Sequence, residues 1–353
     1  MKKIFKIALF SVLGLVAVFG VLTWLEFAPL VKGALSAEKL DDGLYYIEYK
    51  GDDGFAGLME QGGGATAKEL SAYVIHFLSK GHYKTDTETK KADFGCSALT
   101  VSTPDGGVMM GRNFDFTSAL GIVMHTIPDR GYETITTFNV KFFGFGEDYK
   151  PEGFTKQYLA LSSLFFALDG INEKGLAIAD LMAGDTIETH QLTSKPDLTT
   201  TAAISYLLKN AANVDEALEL LRGIDMHSDI GSAHHYAMAD ASGRRVVVEY
   251  VDNERVVVDS PAVANHYLCE AKLNEGLIDG DDRYDRLCKR FDETGGVMNE
   301  KQLTEAIAAV SQPERANFLG TAWTMVMDLT HPSVTYYSRR HFDKPFHFEL
   351  KKQ

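Results

Sequence analysis

Cys96–Phe116 reads CSALTVSTPDGGVMMGRNFDF and contains a complete hairpin. CSALTVST has the apolar and β-branched content of a strand, Pro104-Asp105-Gly106-Gly107 is a turn, and VMMGRNFDF is the returning strand. An antiparallel ladder brings its two ends side by side, so Arg112 and Asp115 on the return can face Cys96. A thiol is a useful nucleophile only as a thiolate, which needs a base or a positive neighbour. Taken on residue type alone, Arg112 and Asp115 read as an ordinary surface ion pair.

Working outward toward the N-terminus, residues 80–95 (KGHYKTDTETKKADFG) are polar, lack an apolar period and read as an exposed linker, where a chain is easily cut. Before it, Ala67–Ser79 reads as an amphipathic helix with Leu70, Val74 and Phe77 on one stripe, Gly62-Gly63-Gly64-Ala65 as a break, and Leu44–Tyr49 (LYYIEY) as a strand. Lys2, Lys3 and Lys6 precede Ile7–Leu25, a run with no ionised side chain. Crossing a bilayer takes about 20 apolar residues, whereas a cleavable apolar region has about 7–15. A membrane signal-anchor is therefore favoured over a cleaved signal, although Gly33-Ala34-Leu35-Ser36-Ala37 keeps cleavage open. The positive-inside rule puts the body outside the cytoplasm, on a single-pass cell-membrane protein. The expected organisation is an anchor and juxtamembrane segment over 1–37, a pre-segment over 38–95 and a catalytic domain over 96–353.

Downstream of the hairpin, Ile135–Phe143 and Leu176–Leu181 read as strands, and Ala202–Leu208 and Val214–Leu221 as helices, the second capped by Asn213. HHYAMAD and RRVVVEYVD form another hairpin, and ERVVVDSPAVANHYL one more strand. Lys301–Val310 is a helix, and WTMVMDLT with SVTYYSRR closes the chain as a last hairpin. Hairpins first and last with helices between them predict an α+β sandwich rather than a doubly wound parallel sheet.

The net charge of −14 argues against nucleic acid as a partner, since that needs clustered Lys and Arg. The three cysteines lack CxxC spacing and the histidines are scattered, so neither a metal nor a cofactor is expected. In an exported chain, Cys269 and Cys288 are either a disulfide or two ordinary buried thiols, and Cys96 is the odd one out. A papain-like site using His234 or His235 as base is a weak alternative, because the sequence context of such a cysteine is missing.

Cys96–Phe116, with its C…GRN.D pattern, resembles the start of the mature chain in the choloylglycine hydrolase superfamily. The resemblance continues through DGINEKGLAIADL (Asp169–Leu181), HHYAMADASG (His234–Gly243), ANHYL (Ala264–Leu268) and TAWTMVMDLTHPSVTYY (Thr321–Tyr337). This superfamily spans bile-salt hydrolases, penicillin V acylases and the acid ceramidase-like branch. It implies the four-layer αββα sandwich of the N-terminal nucleophile hydrolases, here preceded by the transmembrane helix, and cleavage of linear amides.

The resemblance also implies roles. Cys96 would be the nucleophile and its own α-amino group the base, with a pKa of about 7.7–8.0 suited to that work. Asp115 would hold the amine and Arg112 would hydrogen-bond near the sulfur. Asn265 would serve the oxyanion, together with a backbone N–H at Met182. Arg283 resembles the later arginine of the ceramidase-like branch, with Arg286 as its rival. The amine exists only if the Gly95–Cys96 bond is broken, which that branch does by self-cleavage. Substrates would be N-acyl amino acids, acylated amines or bile-acid conjugates. Met182 stands where bile-salt hydrolases carry Asn, which leans away from bile-acid specificity. The aromatic run at Phe142, Phe143 and Phe145 reads as core before it reads as a lipid cleft. An acyltransferase using the same acyl-enzyme, and a non-catalytic binding domain that would tolerate loss of Cys96, are the competing readings.

Overall fold

The computed structural model describes residues 21, 24–82, 95–143, 149–184, 187–229 and 231–351, and the backbone alone at Phe143. Two sheets form its centre. The larger has nine strands in the order β1-β2-β5-β6-β7-β8-β11-β12-β13. These are β1 (Glu38–Asp41), β2 (Leu44–Gly51), β5 (Gly121–Pro128), β6 (Thr134–Asn139), β7 (Asp169–Asn172), β8 (Ala177–Met182), β11 (His234–Ala239), β12 (Arg245–Val251) and β13 (Glu254–Val258). The smaller runs β14-β3-β4-β15-β16-β17, built from β3 (Gly95–Ser102), β4 (Val108–Phe116), β14 (Ala262–Val263), β15 (Gly320–Asp328), β16 (Ser333–Ser338) and β17 (Phe346–Glu349). A short parallel pair, β9 (Asp197–Thr199) and β10 (Asp225–His227), stands apart.

The helices are α1 (24–35), α2 (Phe55–Glu60), α3 (Ala67–Leu78), α4 (Phe154–Ala160), α5 (Thr200–Asn210), α6 (Val214–Arg222), α7 (Arg283–Glu293) and α8 (Glu300–Ala309). α5, with α6 beside it, covers β6–β8 of the larger sheet, while α7 and α8 cover β3, β4, β14 and β15 of the smaller. Strand periodicity sorts the smaller sheet's side chains between its two faces. Ala98, Met110 and Met325 turn inward to the cluster shared with Ile122 and Ile135 of the larger sheet. Their neighbours Leu99, Met109 and Val326 turn outward onto Leu287, Leu303 and Ile307 of α7 and α8. The expected helix–sheet–sheet–helix order is therefore present.

The pre-segment is woven into this frame. β2 pairs in parallel with β5 over eight residues, from Leu44↔Gly121 to Gly51↔Pro128. Leu30 and Ala34 of α1 are buried in the main core, and Thr66 and Glu69 close a capping box on α3. Of Ile7–Leu25, only Val21, Trp24 and Leu25 fall within the described residues, and residues 83–94 of the linker lie outside them. Among the described residues no helix is long and apolar enough to cross a membrane.

Two expectations are corrected and one open alternative is decided. Ile135–Phe143 is a strand only to Asn139, after which Val140–Phe143 is a turn of 3-10 helix. ERVVVDSPAVANHYL is not one strand, because Pro261 has no N–H for a ladder and the chain crosses there from β13 in one sheet to β14 in the other. Cys269 and Cys288 are separate free thiols.

Candidate active site

The hairpin β3–β4 sets the site by its register. Gly95 lies opposite Asp115, Cys96 opposite Phe114 and Ala98 opposite Arg112. Residues paired across a ladder share a face, so Cys96 and Arg112 both point between the sheets. Asp115 is three residues from Arg112, an odd separation, and so takes the other face. The expectation that both would face the thiol holds for Arg112 only. Asp115 reaches Cys96 by another route, described below.

Arg112 is fully buried. Its Nε sits 2.8 Å from Asp169 Oδ2, at ion-pair distance but off the hydrogen-bond axis. Its Nη2 donates to the Asp180 carbonyl (2.9 Å) and its Nη1 to that of Asn113 (2.6 Å). Among the described residues no Arg112 hydrogen bond goes to the sulfur, so its influence on Cys96 is through charge. Asp169 also accepts from Trp323 Nε1 at 2.9 Å. Burial pushes the Cys96 thiol up to about 12, with the Arg112 charge opposing and those of Asp115 and Asp180 reinforcing that rise. In the uncut chain Cys96 is a neutral thiol.

The second group gathers on the Cys96 main chain. Its N–H donates to Asn265 Oδ1 (2.7 Å), and its carbonyl accepts from Arg283 Nη1 (2.8 Å). The same Nη1 pairs with Asp115 Oδ2 at 3.0 Å, and Arg283 Nη2 donates to Asn265 Oδ1 at 2.9 Å. Asp281 braces the guanidinium through Nε (2.9 Å) and Nη2 (2.6 Å). Thr321 Oγ1 donates to Asp115 Oδ1 (2.5 Å), and Asn265 Nδ2 donates to the Met182 carbonyl at 2.9 Å. Two donors on one side and a carbonyl on the other fix which way the Asn265 amide points. Burial raises the Asp115 carboxyl despite its Arg283 partner. Arg283 is thus the arginine at Cys96, while Arg286 lies exposed and donates to the Ala309 carbonyl on α8.

The two histidines alternate along β11. His234 pairs through Nδ1 with the Asp180 carboxylate (2.9 Å) and through Nε2 with the Asp229 carbonyl, next to the start of α5. His235 binds Glu249 and the Ala264 carbonyl. The papain-like alternative has no base at Cys96. Asp169, Asp281 and Thr321 were not anticipated, although Asp169 opens the quoted DGINEKGL and Asp281 stands two residues before Arg283. Thr321 gave no signal, since only the β15–β4 register puts it opposite Asp115.

The same sandwich of two facing sheets between helices is found in solved structures. A penicillin V acylase from Agrobacterium tumefaciens superposes with a TM-score of 0.51 at 17% identity, covering 72% of this chain and 86% of that one. A variant of the conjugated bile acid hydrolase of Clostridium perfringens gives 0.52 at 15% identity, covering 73% and 93%. Residues 96–265 match the family model of the linear amide C–N hydrolases, choloylglycine hydrolase family. The chain is also 31% identical over 219 residues to the penicillin V acylase of Pectobacterium atrosepticum, a match spanning 48% of this chain and 57% of that protein's length.

Proposed function

We propose that this chain hydrolyses linear amides with Cys96 as nucleophile, after its own Gly95–Cys96 bond has been cut. The observation that carries the reading is the convergence on the Cys96 main chain: Asn265 on its nitrogen, Arg283 on its carbonyl and Asp115 behind Arg283. An ordinary strand residue has its backbone held by neighbouring strands, not by two buried side chains from elsewhere in the chain. Such an arrangement suits a nitrogen that becomes a functional group.

In the cut, the Cys96 sulfur attacks the Gly95 carbonyl and the amide nitrogen leaves with the thiol proton. The thioester so formed is opened by water to a Gly95 carboxylate and the free thiol. Gly95 leaves its carbonyl uncrowded, and a Cβ there would stand 3.3 Å from the Asp115 Cβ. The new α-amine then takes the thiol proton, and its positive charge with that of Arg112 opposes the burial that holds the thiol neutral. The thiolate attacks the substrate amide, the ammonium protonates the leaving amine, and the same amine activates water to release the acyl group. Asn265 Nδ2 would turn from the Met182 carbonyl to the oxyanion, joined by the backbone N–H at Met182.

Penicillin V, a conjugated bile acid and an N-acyl amino acid are the substrates to try first, the first two because similar proteins are named for them. The test is turnover of this panel by the wild-type chain and Cys96→Ser, with intact mass in parallel. Loss of activity in Cys96→Ser and a fragment beginning at Cys96 are expected. Equal turnover by Cys96→Ser would remove the thiol from the reaction, and full activity in an uncut 39.0 kDa chain would remove the self-cleavage.

The same reading keeps the body outside the cytoplasm on a retained anchor. It is supported by the Lys-flanked run Ile7–Leu25 and by exposed Val21, Trp24 and Leu25, the last two opening α1, whose Leu30 and Ala34 are buried. Release of the chain from membranes by alkaline carbonate would sink it.

A further inference from the structure

Asn265 sits on an irregular segment between β14 and α7, yet it holds two hydrogen bonds of 2.7 and 2.9 Å to the Cys96 N–H and Arg283. Something must fix that segment. On β11 and β12, His235 and Glu249 face each other one step beyond the Tyr236↔Val248 pair, and both are buried. His235 Nδ1 lies 3.2 Å from Glu249 Oε1, and its Nε2 donates to the Ala264 carbonyl at 2.9 Å. The Glu249 carboxylate accepts the N–H groups of Leu268 (2.8 Å) and Cys269 (2.9 Å). The pair thus grips the segment at both ends, and the carbonyl at the first end belongs to the residue next to Asn265. Gly184 crowds in behind, since a Cβ there would stand 2.5 Å from the Asn265 carbonyl oxygen.

The geometry points to His235 and Glu249 as positioning residues that hold the Asn265 side chain at Cys96. They touch neither the thiol nor its main chain, so they act only through the 264–269 segment. This rests on the role proposed above for Asn265. A buried polar pair of this kind is weak evidence for stability in itself, because desolvation offsets much of its attraction. Placement gives it a purpose: a shift of about 1 Å in a catalytic group can cost about 100-fold in rate.

Two substitutions of the same residue separate placement from mere core support. The side-chain amide of His235→Gln can stand in for Nε2 and keep the Ala264 bond, whereas that of His235→Asn can stand in for Nδ1 and keep only the Glu249 bond. Both shrink the imidazole in the same core. Turnover of the fastest substrate in the panel is measured for each, normalised to the amount of chain beginning at Cys96, in wild-type and Asn265→Ala backgrounds. The expected result is a kcat loss of about 10-fold or more for His235→Asn, a smaller loss for His235→Gln, a nearly unchanged KM, and no further loss from either in the Asn265→Ala background. Glu249→Gln, which keeps the shape of the side chain, is expected to fall between them and serves if an asparagine variant does not fold. Equal losses with and without Asn265, or no loss in any variant, overturn the inference. If Asn265→Ala itself leaves kcat unchanged, the role proposed for Asn265 fails; if Asn265→Ala lowers kcat and the His235 and Glu249 variants do not, only the positioning role fails.

Discussion

Arg112 has no water to turn to. It carries its charge in the core against Asp169, with carbonyls of Asp180 and Asn113 each accepting one of its protons. Removing one member of such a buried pair strands the other, so Arg112→Met should lower unfolding free energy by about 3–5 kcal/mol, read by urea denaturation. A loss below about 1 kcal/mol would mean that Asp169 is already neutral. His234 allows a pH test with a defined sign. Burial opposes its charge, but Asp180 and Asp229 overcome this and hold the ring at about 9, against 6.5 when unfolded. A raised basic group stabilises fully below the unfolded value and loses that contribution as pH climbs through the folded one. Melting temperature should therefore fall between about pH 6.5 and 9, and His234→Gln should flatten that slope. Which residues gather was largely legible at this scale, since Cys96, Arg112, Asp115, Asn265 and Arg283 all come together. How they meet was not: the parity of the strand, invisible in a list of spacings, sends Asp115 away from Arg112 and makes Arg283 the link.

At the scale of elements, the strongest patterns were read correctly. The hairpin β3–β4, the hairpin β11–β12 and the capped helix α6 each have a local cause: turn glycines, alternating side chains, or an Asn213 side chain that accepts the Glu216 N–H. β5 went unread because Gly121–Met124 is buried throughout, and a stretch buried on both faces shows no alternation. One contact between elements is open to a direct check. α8 lies against β4 at Gly111, where an added Cβ would come within 2.5 Å of Ile307 Cγ1 and 3.3 Å of Leu303 Cδ1. Gly111→Val should push the helix layer off the sheet at a cost of about 1–3 kcal/mol, seen as a lower melting temperature. Since Arg112 and Asp115 follow directly, activity should fall with it. An unchanged melting temperature would show that α8 can slide without cost.

For the molecule as a whole, the pre-segment decides how the two pieces of a cut chain would behave. LYYIEY and the helix after it are expected to stay docked once the polar linker is cut, and β2 lies inside the nine-stranded sheet between β1 and β5. Its burial is a tertiary fact with no local signature. After the proposed cut, the two pieces should co-elute on size exclusion in native buffer and part only in denaturant; separation in native buffer would contradict the packing of β2. That interior strand also gives maturation a direction. Before the cut, β2 and β5 are tied by one chain, and their meeting is intramolecular, independent of dilution. Afterwards the same pairing is a bimolecular association, so a mature molecule that unfolds must find its lost partner again at whatever concentration the solution offers. Refolding yield should then fall with dilution for the mature form and not for the precursor. The working enzyme would persist by the slowness of its unfolding rather than by its power to reassemble.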